Sequence, residues 1–242
     1  MKLKQKGERV VDIHCHILPG LDDGAQSMEE TVAMLHVAAA EGITDVIATP
    51  HFKHGGSHFD PEKVMQRIET VQSAIDEEQI PITLYPGCEI FYFGGVEELL
   101  RDKRAMTLNH SRYVLIEFSP AVQYSYLRNA LHTTMDAGYL PILAHAERYD
   151  CLRDDLEDIE YLNNSGVHIQ INADSVISGG IKTKKFVQQL LKHELVDFIA
   201  TDAHDNKYRQ QKLAKCRSHL IRKYGSDYAD LLMRENALKI LV

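Results

Sequence analysis

Short apolar runs, each closed by a turn, set the rhythm of this chain, and helical periodicities fill the gaps between them. Strands are predicted at about Val10 to Ile13, Asp45 to Thr49, Ile82 to Tyr85, Tyr113 to Phe118, Leu140 to Ala144, Val167 to Ile171 and Val196 to Thr201. After Ser27, the apolar positions Val32, Leu35, Ala38 and Ala39 recur at helical spacing. Ser27 and Glu30 stand in capping-box spacing, and Gly42 is placed to stop the helix. Pro61 marks a second helix start, with the helix running to about Glu78. Further helices are expected at Val96 to Lys103, Tyr124 to Asp136, Asp154 to Asn164 and Lys184 to His193. Two more, Asn206 to Tyr224 and Ser226 to Ile240, close the chain.

Strands alternating with helices in this way make repeated βαβ units and a parallel sheet. Such connections are right-handed, so the sheet curls in one sense. Seven strands suggest a barrel, incomplete or distorted, with an open doubly wound sheet as its rival. No Gly-x-Gly-x-x-Gly and no Walker-type loop supports a nucleotide-binding version. There is no internal repeat, low-complexity tract or domain linker, and 242 residues fit one α/β barrel domain.

Composition narrows the partners. The net charge of −8 counts against nucleic acid, which favours a basic face. Cys15, Cys88, Cys151 and Cys216 show no paired spacing, so free thiols in a reducing compartment are expected. Residues 1–9 are basic but precede no apolar core, which reads as a flexible extension rather than a signal peptide. No stretch approaches the length of a membrane span, so a soluble, cytoplasmic protein without membrane insertion is expected.

The chemistry gathers at the strand ends, which share one face of a parallel α/β protein. Six of the seven ends carry a candidate ligand or polar group. In His14-Cys15-His16, alternation points both imidazoles one way and Cys15 the other. Asp202-Ala203-His204 repeats that spacing at the last strand, and a carboxylate with an imidazole suits a divalent ion. His51 follows Pro50 after the second strand; a surface loop histidine is the alternative. Glu117 ends an apolar run, where a carboxylate costs several kcal/mol without a cationic partner, a metal or an arginine. Glu89, His145 and Arg148 lie at other strand ends. Arg148 and Arg209 suit a phosphate clamp, since a guanidinium fork matches two oxygens, although either could sit solvated on a helix. Asp22-Asp23-Gly24 is a turn, one of whose aspartates could complete a metal set. His54 and His58 lie in a polar loop and could protonate a leaving group. Glu147 receives no role, and the sixth strand offers no ligand.

Cys216 and Arg222 have the Cys-x5-Arg spacing of cysteine-dependent phosphatases. The intervening Arg217, Ser218, His219, Leu220 and Ile221 include no glycine to shape a phosphate-cradling loop, so a nucleophilic Cys216 is not expected.

From Val11 to about Ile240 the chain resembles the polymerase-and-histidinol-phosphatase (PHP) superfamily. Within it, the resemblance is to the manganese-dependent protein-tyrosine phosphatases of Gram-positive capsule and exopolysaccharide operons. It is carried by Asp12-Ile13-His14-Cys15-His16-Ile17, Asp22-Asp23-Gly24, Ala48-Thr49-Pro50-His51, Gly87-Cys88-Glu89, Leu115-Ile116-Glu117-Phe118, Ala144-His145-Ala146-Glu147-Arg148 and Asp202-Ala203-His204. The resemblance implies a single-domain distorted (β/α)7 barrel of the PHP type holding three divalent ions. Manganese is expected, with iron, magnesium, cobalt or zinc as alternatives. By motif, His14, His16, Glu89 and Asp202 would hold the first ion. Glu89 would bridge to a second, shared with Glu117 and His145. Asp23, His51 and His204 would hold the third, with Asp22 the competing choice for Asp23. Arg148 and Arg209 match the family's phosphate-binding arginines.

The implied substrate is phosphotyrosine on the tail of a bacterial tyrosine kinase controlling polysaccharide export. The implied reaction is attack on the phosphomonoester by a metal-bridging hydroxide. A histidinol-phosphate or other small phosphomonoester phosphatase would share the metals. A nuclease would need a less acidic surface. A metal-stabilised scaffold that docks the kinase is the non-enzymatic alternative.

Overall fold

A computed structural model describes residues 9–53, 59–153 and 156–242. The expected loop histidines His54 and His58, the first two residues of the predicted acidic helix, and nearly all of the N-terminal extension lie outside the described residues. The strands are β1 (Val11–Cys15), β2 (Asp45–Ala48), β3 (His51–Phe52), β4 (Thr83–Pro86), β5 (Glu89–Phe91), β6 (Tyr113–Glu117), β7 (Leu140–Leu143), β8 (His168–Asn172) and β9 (Phe198–Ala200). The helices are α1 (Met28–Ala40), α2 (Pro61–Glu77), α3 (Val96–Arg101), α4 (Tyr124–Asp136), α5 (Leu156–Ser165), α6 (Ala173–Ile177), α7 (Ile181–Lys192) and α8 (Leu213–Tyr224). The segment after α8 joins α9 (Ser226–Asp230), a π-helical turn at Leu231–Glu235 and α10 (Asn236–Leu238). No described helix is long and apolar enough to cross a membrane.

Every strand pair is parallel. One sheet runs β1-β2-β4 and the other β3-β5-β6-β7-β8-β9. Among the described residues, seven of the nine strands fall on the expected runs, and β3 and β5 are short additions beyond the second and third, set off from them at Pro50 and at Gly87-Cys88. Proline cannot donate to the ladder, which accounts for the first separation. At Gly87 a side chain would press within 2.8 Å of Leu108 and 3.0 Å of Ile47, so only glycine lets the backbone pass. The sheet closes on itself between β1 and β9. A Cys15–Ala203 bridge joins their ends, with His16 N donating to Ala203 O (2.9 Å) and Asp202 N to His14 O (2.8 Å). The result is a distorted (β/α)7 barrel, as the pattern predicts.

A small apolar cluster that includes Val11, Ile13, Ile47, Leu115, Ile142 and Phe198 fills the barrel interior, stoppered by Leu108 and Ile240. A larger cluster packs the helices onto the outer strand faces, with Cys15 and Cys88 buried in that wall. Apolar filling stops where the strands end, so the polar strand ends above it face one another across a narrow mouth.

Helix ends follow the local signals. Ser27 caps α1 by accepting from Glu30 N, and Gly42 takes the left-handed φ of +79° that the stop requires. Glu30 accepts from Gln26 N (2.7 Å) rather than closing the box on Ser27. The helix expected from Asn206 begins only at Leu213. Asp205 accepts from the amides of Lys207, Tyr208 and Arg209, which holds this stretch in a turn instead. Helix α6 has no counterpart in the sequence-based expectation.

Candidate metal centre

His14, His16, Glu89, Glu117, His145, Asp202 and His204 are all buried at the C-terminal mouth of the barrel, with His51 half-buried beside them. The peptide backbone is bent to bring them there. His145 (φ +34°) and Asp202 (φ +52°) both occupy the left-handed region, which costs a non-glycine residue of order 1 kcal/mol or more. For Asp202 the bend is held from below: Asp12 accepts from Thr201 N (2.9 Å) and the Thr201 hydroxyl, tying the end of β9 to β1. In β3 and β5, His51 and Glu89 are register partners, so their side chains rise side by side.

Among the described residues, three groups of potential ligand atoms each gather within 4.8 Å. One is His14, His16, Glu89 and Asp202; a second is His16, Asp23, His51 and His204; a third is His51, Glu89 and Glu117. The first coincides with the set implied by the resemblance. The second contains the expected Asp23, His51 and His204 and adds His16. The third differs: His51 closes a triad with the two glutamates, while His145 Nε2 lies 2.9 Å from Glu89 and 3.7 Å from Glu117. Glu89 is common to two groups, as a bridge requires.

The two aspartates of the first turn separate cleanly. Asp23 is 62 % exposed and points its carboxylate at His51 Nε2 (3.3 Å) and His204 Nε2 (3.6 Å). Asp22 is turned inward, accepting from His16 Nδ1 (2.7 Å), His51 N (3.0 Å) and Gly24 N (2.9 Å). Oδ2 takes two of these bonds and Oδ1 the third, and none of the ligand groups among the described residues includes Asp22, so it orients His16. Gly24 is obligatory here, since a Cβ would sit 2.1 Å from the His16 carbonyl oxygen.

These donors fit divalent cations. His14, His16 and His204 each donate Nδ1–H to protein, to Gln170 Oε1 (3.2 Å), Asp22 and the Asp202 carbonyl (2.9 Å) respectively. That tautomer turns each Nε2 lone pair into the cluster, where His14 and His16 Nε2 approach to 3.2 Å. With neutral imidazoles, His51 Nδ1, Glu89 Oε2, Glu117 Oε1 and His204 Nε2 are buried without a hydrogen-bond partner; a second proton on His51 would pair its Nδ1 with Glu117 (3.0 Å) and Glu89 (3.1 Å). Buried polar atoms so left cost free energy that a bound cation recovers.

In the protein without ions, charge arranges itself around protons. Burial opposes charge on His16, yet its hydrogen bonds to Asp22 and Glu89 raise its pKa to about 10. His51, likewise buried against its charge, is raised to about 9 by Glu117 and Glu89. Burial and the nearby His16 charge push His204 down to about 4. Glu89 and Asp202 are held well below the usual carboxylate range by surrounding histidines despite burial, with Arg148 adding to the effect on Asp202.

Both expected arginines reach the cluster. Arg148 Nη2 donates to Asp202 Oδ2 at 2.5 Å and Arg209 Nη2 to the same oxygen at 3.2 Å. Each side chain keeps about two-fifths of its surface exposed, 42 % and 43 %.

Several residues that position the cluster carry no ligand signature. Gln170 Oε1 accepts from His14 Nδ1 and from His145 N (2.8 Å). Its amide donates to Asn172 Oδ1 (2.9 Å), and Asn172 Nδ2 donates to Asp202 Oδ2 (2.9 Å). Strand β8, the one without a nameable ligand, thus supplies a buried amide relay. Gln170 and Asn172 share one face by alternation, and polar residues there in an apolar strand were the available signal. Glu147 accepts from Asn172 N (3.1 Å) and Ser175 Oγ (2.6 Å), tying α6 to β8. Cys216 lies buried within α8, where burial pushes its thiol up to about 12; a thiolate nucleophile is not available there.

Comparison with known proteins agrees with this architecture. Residues 10–242 match the family model described as capsular polysaccharide synthesis, CpsB/CapC. The chain is 33 % identical over 233 residues to tyrosine-protein phosphatase YwqE of Bacillus subtilis, covering 96 % of this chain and 91 % of that one. It superposes with a TM-score of 0.90 and 31 % identity on a chain from the crystal structures of YwqE and of CpsB from Streptococcus pneumoniae, described as unique metal-dependent tyrosine phosphatases; 96 % of this chain and 94 % of that one are covered. A histidinol phosphate phosphatase from Lactococcus lactis shares the fold alone, at TM-score 0.57 and 14 % identity over 92 % of this chain and 94 % of that one.

Proposed function

The chain belongs to the CpsB/CapC family of capsular polysaccharide synthesis, and on that footing we propose that it is a metal-dependent protein-tyrosine phosphatase working as one PHP-type domain. Three divalent ions, manganese in first place, would occupy the centre. His14, His16, Glu89 and Asp202 would hold one, Glu89 with Glu117 and His145 a second, and Asp23, His51 and His204 the third. His51 Nδ1, which lies 3.0 Å from Glu117, would be available to the second set as well. The observation that carries the reading is the gathering of buried ligand atoms within 4.8 Å of one another beside two part-exposed arginines.

When bound, the ions lower the pKa of a water and neutralise charge on the phosphoryl group. The protein's own residues do the rest. Asp22, Gln170 and the Asp202 carbonyl fix the imidazole tautomers. Arg148 and Arg209 bind the phosphoryl oxygens and hold the ester in line for displacement. Phenolate, the conjugate base of a group with pKa near 10, leaves without obligatory protonation.

The substrate is phosphotyrosine on a bacterial tyrosine kinase that governs capsule or exopolysaccharide synthesis. Unpaired Cys15, Cys88, Cys151 and Cys216 suit a cytoplasmic setting. The test is reconstitution: chelator-stripped protein is given manganese, magnesium, iron, cobalt or zinc and assayed on a phosphotyrosyl peptide and on histidinol phosphate. Metal-dependent turnover preferring the peptide is expected. Preference for histidinol phosphate would move the assignment to a small-molecule phosphatase, and no turnover with any metal would defeat it.

A further inference from the structure

The metal centre opens at one side onto a groove. Next to Asp23 and His51 lies a hollow of about 340 Å3 floored by Leu21, Pro50, Phe59 and Val64. A second hollow, about 610 Å3, continues from it, with Lys53, Phe59 and Asp60 lining both. Its floor is aromatic: Phe52 stands edge-on to Phe59 at 4.7 Å and lies 6.0 Å from Phe93. Its far wall, beyond Leu99, carries the exposed Lys103 and Arg104. Neither of these cations forms an ion pair with a described residue. The second hollow is lined by three cations, Lys53, Lys103 and Arg104, against two acids, Asp60 and Glu62, and Asp60 also accepts from Glu62 N (3.0 Å) in capping α2. The groove therefore begins at the reacting centre, is apolar along its floor, and ends in excess positive charge on a protein of net charge −8.

Given the phosphatase activity proposed above, we infer that this groove binds the polypeptide flanking the phosphotyrosine and selects an acidic residue for its far end. The phenol ring enters the near hollow beside His51. A neighbouring apolar or aromatic side chain lies over Phe59 and Phe93. A carboxylate beyond it meets Lys103 and Arg104. Rim charges of this kind act chiefly on encounter and partner choice, and are weakened by salt. They discriminate among peptides while leaving the chemistry untouched.

The experiment uses the manganese-loaded full chain and its Lys103→Glu/Arg104→Glu variant. Substrates are p-nitrophenyl phosphate and phosphotyrosyl peptides carrying aspartate, alanine or lysine at successive positions on either side. The wild type should favour an acidic-flanked peptide, and rising ionic strength should erode that preference. In the variant, kcat/KM for that peptide should fall about tenfold, mainly through KM, with its salt dependence reduced. Turnover of p-nitrophenyl phosphate should stay within about twofold, since that substrate does not reach the far wall. Equal turnover of acidic, neutral and basic peptides by the wild type would overturn the groove assignment while leaving the phosphatase intact. So would a parallel loss on peptide and small substrate in the variant. Failure of the wild type on every substrate would instead overturn the phosphatase reading, and the groove's role with it.

Discussion

Replacing Asp22 by Asn probes how the centre is held together without removing a ligand. Asp22 is nearly isosteric with Asn, but its two oxygens accept three hydrogen bonds, from His16 Nδ1, His51 N and Gly24 N. An amide offers one oxygen. Its best orientation keeps that oxygen on His16 and His51 and turns the NH2 onto the Gly24 amide, donor against donor, at a cost of about 1–3 kcal/mol. The opposite orientation sacrifices two bonds and is worse. The bond to His16 also loses its charge, and charge-assisted bonds are roughly twice as strong as neutral ones. His16 belongs to two of the three ligand groups, so its loosening is felt in both.

Residues that orient metal-bound histidines typically contribute 10–100-fold to metal affinity or activity, roughly 1.4–2.8 kcal/mol. The expected result for Asp22→Asn is therefore an affinity loss of about that size, measured by titration against a competing chelator. Much of the kcat should return at saturating metal, because every ligand remains. Asp23→Ala, which removes an expected ligand, should lower metal stoichiometry and stay impaired at saturation. The reverse pattern, full stoichiometry in Asp23→Ala and lost metal in Asp22→Asn, would refute the division of labour drawn for the two aspartates.

Gly24→Ala should be damaging despite its size. The new Cβ would lie 2.1 Å from His16 O and 2.5 Å from His16 Cβ, so the loop seating both aspartates must move; kcat/KM should fall by about 10²-fold, and near-wild-type kinetics would show that the loop yields freely. Arg148→Ala should lower kcat/KM by about 10²–10³-fold while the metal content measured by elemental analysis stays at the wild-type level. Loss of metal in that variant would make Arg148 structural. In the ion-free protein His16 and His51 titrate near 10 and 9, so metal binding at about pH 7.5 should expel protons, seen as a dependence of calorimetric heat on buffer ionisation enthalpy. Both values lie above the unfolded value near 6.5, so their stabilisation of the ion-free fold is complete below that pH and lost as pH rises through 9 to 10. Melting temperatures that held steady over that range would count against charged histidines in the ion-free cluster.

Much of this molecule was legible along the chain because its signals are local. Ser27, Gly42 and Pro61 act within one helical turn: α1 begins and ends, and α2 begins, where those residues direct. The seven apolar runs became the barrel units. Less legible were the features where a side chain competes with regular backbone structure. Asp205 gathers three amides and suppresses the first turns of the helix expected from Asn206. Beyond Pro50 and Gly87-Cys88 the chain forms β3 and β5, each too short to show a strand pattern of its own. Gln170 and Asn172 looked like unremarked polar residues, since their partners are far away in sequence: His14 is 156 residues from Gln170.

Alternation along a strand is a property of the backbone itself, so the sequence alone determined that His14 and His16 share a face and that a ligand-type side chain ends nearly every strand. It could not determine how those side chains meet. Asp22 and Asp23 are neighbours of identical chemistry, and only the path of the turn, pressed against the His16 carbonyl at Gly24, sends one inward to hold an imidazole and the other out to the ligand set. Closure of β1 on β9 likewise brings Asp12 to Thr201 across 189 residues and bends Asp202 into place. A hydrogen bond depends on position in space, and for residues so far apart in the chain that position is created only when the barrel closes.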